Sequence, residues 1–193
     1  MKTLVWDVDD VLNDLMRSWL AEAWLPAHPD CRVTYEQIAE NPPHRVLGVS
    51  KEEYLASLDA YRAAPAAGRL RPSAEVLAWL GRHGDRFRHI ALTARPLASA
   101  GSTAEWVYRC FGAWIRTFSV VPARLQPGLP PLDRTKKEFL QWLGKADVFI
   151  DDSPENVLDA CSLGMRGIVF PQPWNHSPLT PAEALDLLSA TCA

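Results

Sequence analysis

Lys2-Thr3-Leu4-Val5-Trp6-Asp7-Val8-Asp9-Asp10-Val11-Leu12 is the stretch that decides the reading of this chain. A short apolar run without alternation is the pattern of a strand buried on both faces, as in the middle of a parallel sheet. Here the run leads straight into Asp7, Asp9 and Asp10. Extended backbone has a period of two, so Asp7 and Asp9 leave the strand end on one side. Open α/β sheets bind ligands beyond the carboxyl ends of their strands. Carboxylates crowded at such a place repel one another unless a cation or a proton relieves them. The cluster therefore suits a metal, acid–base chemistry or both, and Asp10 reads as a cap for the following helix.

Downstream, Asn13 to about Trp24 carries apolar residues at helical spacing, and Pro26 and Pro29 close it. Residues 26–71 hold no strand pattern but two capping boxes, Thr34-x-x-Gln37 and Ser50-x-x-Glu53. They read as a helical insertion, leaving 1–25 and 72–193 as the core domain. From Ser73 helices and strands alternate. Helices are expected from Ser73, Ser102, Thr135, Ser153 and Thr180, and strands at Arg88–Thr93, Phe118–Val121, Val148–Ile150 and Gly167–Phe170, with a proline-rich loop from Pro122 to Pro131. Alternation of this kind predicts an α/β fold, a doubly wound parallel sheet of five strands, with a small helical cap inserted after the first.

Composition limits the function. A length of 193 residues with 48% apolar and 22% charged residues fits one soluble domain with an insertion. The net charge of −3 provides no basic footprint for nucleic acid and no polybasic membrane patch. Cys31, Cys110, Cys161 and Cys192 form no metal-type spacing, and the five histidines form no HExxH, which argues against zinc. No signal-peptide pattern or membrane-length apolar run is present, so reduced thiols in a cytoplasm are expected. The eight tryptophans mostly fall in amphipathic patterns and read as core.

Polar groups now stand at three strand ends: Asp7 and Asp9, Thr93, and Asp151 with Asp152. Lys136 and Lys137 open the helix before the fourth strand. Each alone has a structural explanation as a cap, a turn hydroxyl or a solvated face. A parallel sheet brings adjacent strand ends together. Carboxylates, a hydroxyl and a lysine gathered there suit Mg²⁺ and a phosphoryl group.

This set, Asp7-x-Asp9, Thr93 after an apolar strand, a lysine near 136 and Asp151-Asp152, resembles the haloacid dehalogenase superfamily over residues 3 to about 170. Leu92-Thr93-Ala94-Arg95-Pro96, Asp151-Asp152-Ser153-Pro154-Glu155-Asn156 and Pro173-Trp174-Asn175 are similar to its 5′(3′)-deoxyribonucleotidase-like branch. The resemblance implies a Mg²⁺-dependent phosphatase acting on a small phosphorylated substrate. Asp7 would be the nucleophile and Asp9 the acid–base group. Asp7, the Asp9 backbone carbonyl and Asp151 would hold the metal, with Asp152 orienting water around it. Thr93, Ala94 and Lys136 would bind phosphoryl oxygens; Lys136 is preferred to Lys137 because it directly follows the cap residue Thr135. The family usually has glycine where this chain has Asp10. A phosphorylatable receiver domain and a non-catalytic binding protein are the competing readings; a receiver orders its acids differently along the chain. Arg95 is left open between a second anionic group and a nearby carboxylate, and Trp174 between base stacking and core packing.

Overall fold

The computed structural model describes residues 1–123 and 132–190. Most of the expected proline-rich loop, and Cys192, lie outside those residues. Strands β1 (Lys2–Trp6), β2 (Phe87–Arg95), β3 (Ile115–Pro122), β4 (Val148–Asp151) and β5 (Arg166–Val169) form one sheet in the order β3-β2-β1-β4-β5. Every neighbouring pair is parallel. The opening strand is thus the central one. Leu4 and Trp6 point into one buried cluster and Val5 into the other, which is why the run shows no alternation.

The helices are α1 (Leu15–Trp19), α2 (Leu25–Ala27), α3 (Lys51–Ala63), α4 (Ala74–His83), α5 (Ala100–Phe111), α6 (Lys136–Leu143), α7 (Pro154–Ser162) and α8 (Pro181–Ala190). Local chemistry fixes several starts. Ser50, Ser73, Thr135 and Ser153 each accept a hydrogen bond from the backbone N–H three residues on. Gly144 closes α6 at φ +63°, a conformation that costs glycine little.

Four expectations differ in detail. The first helix does not stop before Pro26; α1 passes through a π-helical turn, Leu20–Trp24, into α2 and ends just past the proline, at Ala27. Thr34-x-x-Gln37 forms its reciprocal cap around a single 3₁₀ turn, Tyr35–Gln37. Ser102 does not cap α5, which begins at Ala100; its hydroxyl instead donates to the Ser99 carbonyl. The second strand runs past Thr93 to Arg95, because β3 pairs with it over its whole carboxyl half.

The buried side chains of the helical stretch after β1, among them Trp19, Trp24, Ile38, Tyr54 and Leu58, belong to the same cluster as Leu4 and Trp6. No helix among the described residues is long and apolar enough to cross a membrane.

Candidate active site

β1, β2 and β4 are adjacent, so their carboxyl ends deliver Asp7, Thr93 and Asp151 to one place. A cavity of about 150 Å³ is lined there by Asp7, Asp9, Thr93, Ala94, Lys136, Asp152 and Asn156. Tyr54, Leu58 and Arg62 of α3 line it from the other side. These three are spaced by four residues, which places them on one helix face.

Asp7, Asp151 and Asp152 form a buried group whose nearest carboxylate oxygens all lie within 4.8 Å of one another. Lys136 is buried between two of them, with Nζ 2.7 Å from Asp7 Oδ1 and 2.7 Å from Asp151 Oδ2. The Val8 N–H also donates to Asp7 Oδ1 at 2.7 Å. Asp151 Oδ1 accepts from the Ser153 N–H at 2.8 Å, and Asn156 Nδ2 donates to both Asp151 oxygens. Lys137 faces away and pairs with Asp159 on α7. Burial pushes the Asp7 carboxyl well above its ordinary range, against the opposing pull of Lys136. Burial and the Asp151 charge do the same to Asp152. The Asp151 and Asp7 carboxylates outweigh burial at Lys136 and hold it protonated.

Asp9 has a different setting. Arg95 grips it in a fork, with Nε 2.9 Å from Oδ2 and the Nη2 group on Oδ1. Arg62 Nη2 lies 2.9 Å from Oδ2 and Asn13 Nδ2 3.3 Å from Oδ1. A carboxylate has about four acceptor positions, and at Asp9 all are taken. Burial alone would raise its pKa, but Arg95 and Arg62 hold the group well below the usual carboxylate range. Of the two partners the sequence offered for Arg95, the structure shows the nearby carboxylate, that of Asp9.

Asp10 adopts φ +59°, the left-handed conformation that glycine favours and aspartate tolerates. The turn keeps its shape without glycine because its polar groups are satisfied. Asn13 Oδ1 accepts from the Asp10 and Leu15 N–H groups, and Asp10 Oδ1 accepts from the Met16 N–H at 2.8 Å. Asp10 therefore does tie down the following helix, from outside the N-cap position, which is held by Asp14.

Trp174 is buried rather than stacked in the cavity, and its indole N–H donates to Asp152 Oδ2 at 2.7 Å. Thr93 Oγ1 is buried with no hydrogen-bond partner, as is Nε of Arg62. Arg62, Asn13 and Asn156 escaped the sequence reading as site residues. For Arg62 a signal existed: an arginine continuing the apolar spacing of Tyr54 and Leu58.

The arrangement fits a divalent cation. Asp7, Asp9, Asp10, Asp151 and Asp152 outnumber Lys136, Arg95 and Arg62, and Arg62 is shared with Asp59. The available donors are carboxylate oxygens, which Mg²⁺ prefers.

No family model and no curated protein sequence matches the chain. Solved structures share its fold. A haloacid dehalogenase-like family hydrolase from Streptococcus pneumoniae superposes with a TM-score of 0.66 at 9% identity, covering 99% of this chain and 98% of that one. A CbbY mutant from Rhodobacter sphaeroides in complex with xylulose-(1,5)-bisphosphate has a TM-score of 0.54 at 16% identity, covering 92% and 89%. A 2-haloacid dehalogenase from Pseudomonas syringae has 0.50 at 17% identity, covering 99% of each. The architecture is therefore the Rossmann-like fold of haloacid dehalogenase-like hydrolases, and the chemistry has to be argued from the site.

Proposed function

We propose that this chain is a Mg²⁺-dependent phosphatase that hydrolyses small phosphate monoesters through an aspartyl-phosphate on Asp7. The observation that carries the reading is the buried, unpartnered Thr93 hydroxyl on the cavity that also holds Asp7 and Lys136. A buried hydroxyl without a partner costs stability, and a phosphoryl oxygen between Thr93 and Lys136 would satisfy it.

Asp7 and Lys136 divide the first step. An Asp7 carboxylate oxygen attacks phosphorus while the bond to the leaving oxygen breaks. Lys136, already 2.7 Å from Asp7, offers its remaining N–H to the equatorial oxygens. Thr93 and the Ala94 end of β2 complete that side. Asp7, Asp151 and the Asp9 backbone carbonyl would hold Mg²⁺, with Asp152 orienting water around it, and the ion would supply the charge that balances the carboxylates and the incoming phosphate. Water then attacks the acyl phosphate, releasing phosphate and restoring Asp7.

Asp9 serves the leaving oxygen as acid and the attacking water as base. Its acceptor positions are full, so one contact must open first. Arg95 is anchored also to Thr103, and Asn13 holds the turn; Arg62, on α3, is the partner outside the strand ends. The helical stretch of about residues 26–71 thus acts as a cap that screens the reaction from water. A second acid at Asp9 also favours ester over carbon–halogen cleavage, because an alkoxide needs a proton and a halide does not.

Within this reading the substrate class is a nucleoside monophosphate or a phosphate ester of similar size, on the strength of the Leu92–Pro96 and Pro173–Asn175 motifs. A panel of phosphate monoesters assayed with Mg²⁺ and then with EDTA tests both levels. Metal-dependent phosphate release is expected, highest for nucleoside monophosphates. No release from any ester would refute the phosphatase; release without nucleotide preference would refute the finer assignment.

A further inference from the structure

The loop after β5 serves the site in a way that the proposed chemistry does not use. Asn175 makes hydrogen bonds through every polar side-chain atom it has. Its Nδ2 donates to the carbonyls of Asp152 at 2.8 Å and Phe170 at 2.7 Å, and its Oδ1 accepts from the N–H groups of Gln172 and Ser177. This locks residues 172–177 against the end of β4. Trp174 is then fixed with its indole N–H on Asp152 Oδ2, and it packs nearly perpendicular to the Tyr35 ring, with the centroids 5.9 Å apart. Gln172 ties the same loop to the Asp10 carbonyl.

Among the described residues the indole is the one donor to the Asp152 carboxylate. Asp7 and Asp151 have Lys136; Asp152 has Trp174. An indole N–H donates and cannot accept, so it fixes Oδ2 of Asp152, a carboxylate grouped with those of Asp7 and Asp151. Trp6, Trp19, Trp79 and Trp106 donate their indole N–H to neutral acceptors, whereas that of Trp174 meets a carboxylate of the acidic group at 2.7 Å.

We propose that Trp174 is a positioning residue for the divalent cation: by holding Oδ2 of Asp152, it sets the carboxylate orientation that the cation meets. The inference rests on the metal-dependent reading of the site. Partners that orient metal ligands typically change metal affinity about 10–100-fold when removed.

Isothermal titration of the full chain with Mg²⁺, and separately with Mn²⁺, in phosphate-free buffer tests this without any turnover. Trp174→Phe keeps an aromatic ring and removes the N–H; a loss of about 10–100-fold in Mg²⁺ affinity is expected. Wild-type affinity in a folded Trp174→Phe variant would overturn the inference. Absence of Mg²⁺ and Mn²⁺ binding by the wild type would instead refute the metal site itself. Should the variant not fold, the indole N–H resonances of the wild type supply the readout. One of them must move on Mg²⁺ addition and saturate with the calorimetric constant, and a titration that moves none would refute the role.

Discussion

Asp7 and Asp9 lie two residues apart, both buried, and their surroundings differ in nearly every other respect. Asp7 shares one lysine with Asp151 and crowds against Asp152, and burial wins at its carboxyl. Asp9 is enclosed by two guanidinium groups and an amide, and there the cations win. Two buried carboxyls can therefore show opposite charge behaviour, and the partner set decides which. The Asp7 side is short of positive charge and calls for a cation. The Asp9 side is already neutralised and has to release a partner before it can handle a proton.

The sharpest break of this comparison is Asp7→Asn, which removes the nucleophile and a metal ligand at once. Turnover of every ester should fall by about 10⁴-fold or more; retained turnover in a steady-state phosphate assay would dismiss Asp7 as nucleophile. Asp9→Asn comes next. Alkyl phosphates should lose about 10²–10⁴-fold, whereas p-nitrophenyl phosphate, whose leaving group needs little protonation, should lose much less in the first step. Equal losses on both substrates would show that Asp9 is not the proton donor.

Lys136→Met probes the counter-charge. It strands Asp7 and Asp151 without their shared cation, and removing one partner of a buried ion pair costs about 3–5 kcal/mol. Urea melts in EDTA should show that loss, and Mg²⁺ should restore part of it. Unchanged stability in EDTA would mean that the lysine does not neutralise the carboxylates.

The remaining test is a pH slope. Asp7 and Asp152 have folded-state pKa values raised above the unfolded ones. Their contribution to stability is full below about pH 4, where both states are protonated, and is lost as pH rises through the folded values. Asp9 is lowered, so its contribution is present at and above that pH and is lost only in stronger acid. Metal-free protein should therefore become less stable on going from pH 5 towards 8, by at most about 1.4 kcal/mol per pH unit for each proton. Asp7→Asn should flatten the slope, and Asp9→Asn should leave it. A metal-free melting temperature that climbs over this range would contradict the comparison.

Much of this molecule was legible locally. The serine and threonine caps at 50, 73, 135 and 153 work through bonds spanning three residues, so sequence spacing contains the whole interaction. The double-sided burial of Leu4, Val5 and Trp6 follows from an unbroken apolar run, and the parallel sheet follows from strands alternating with helices. The same logic made Asp7, Thr93, Lys136 and Asp151 candidates: each stands at a strand end or a helix start.

Partnerships across the chain were not legible, because they depend on which strands become neighbours. The order β3-β2-β1-β4-β5 brings Arg95 to Asp9 across 86 positions, and packing of α3 brings Arg62 to the same carboxylate across 53. Sequence left Arg95 open between two partners and Trp174 between two roles, and only their tertiary neighbours chose. The same holds for charge: the sequence displays Asp7, Asp9 and Asp10 as similar acids. Their protonation is decided by burial and by cations contributed from elsewhere in the fold, since the electrostatic energy of a buried group depends on distances that spacing along the chain does not contain.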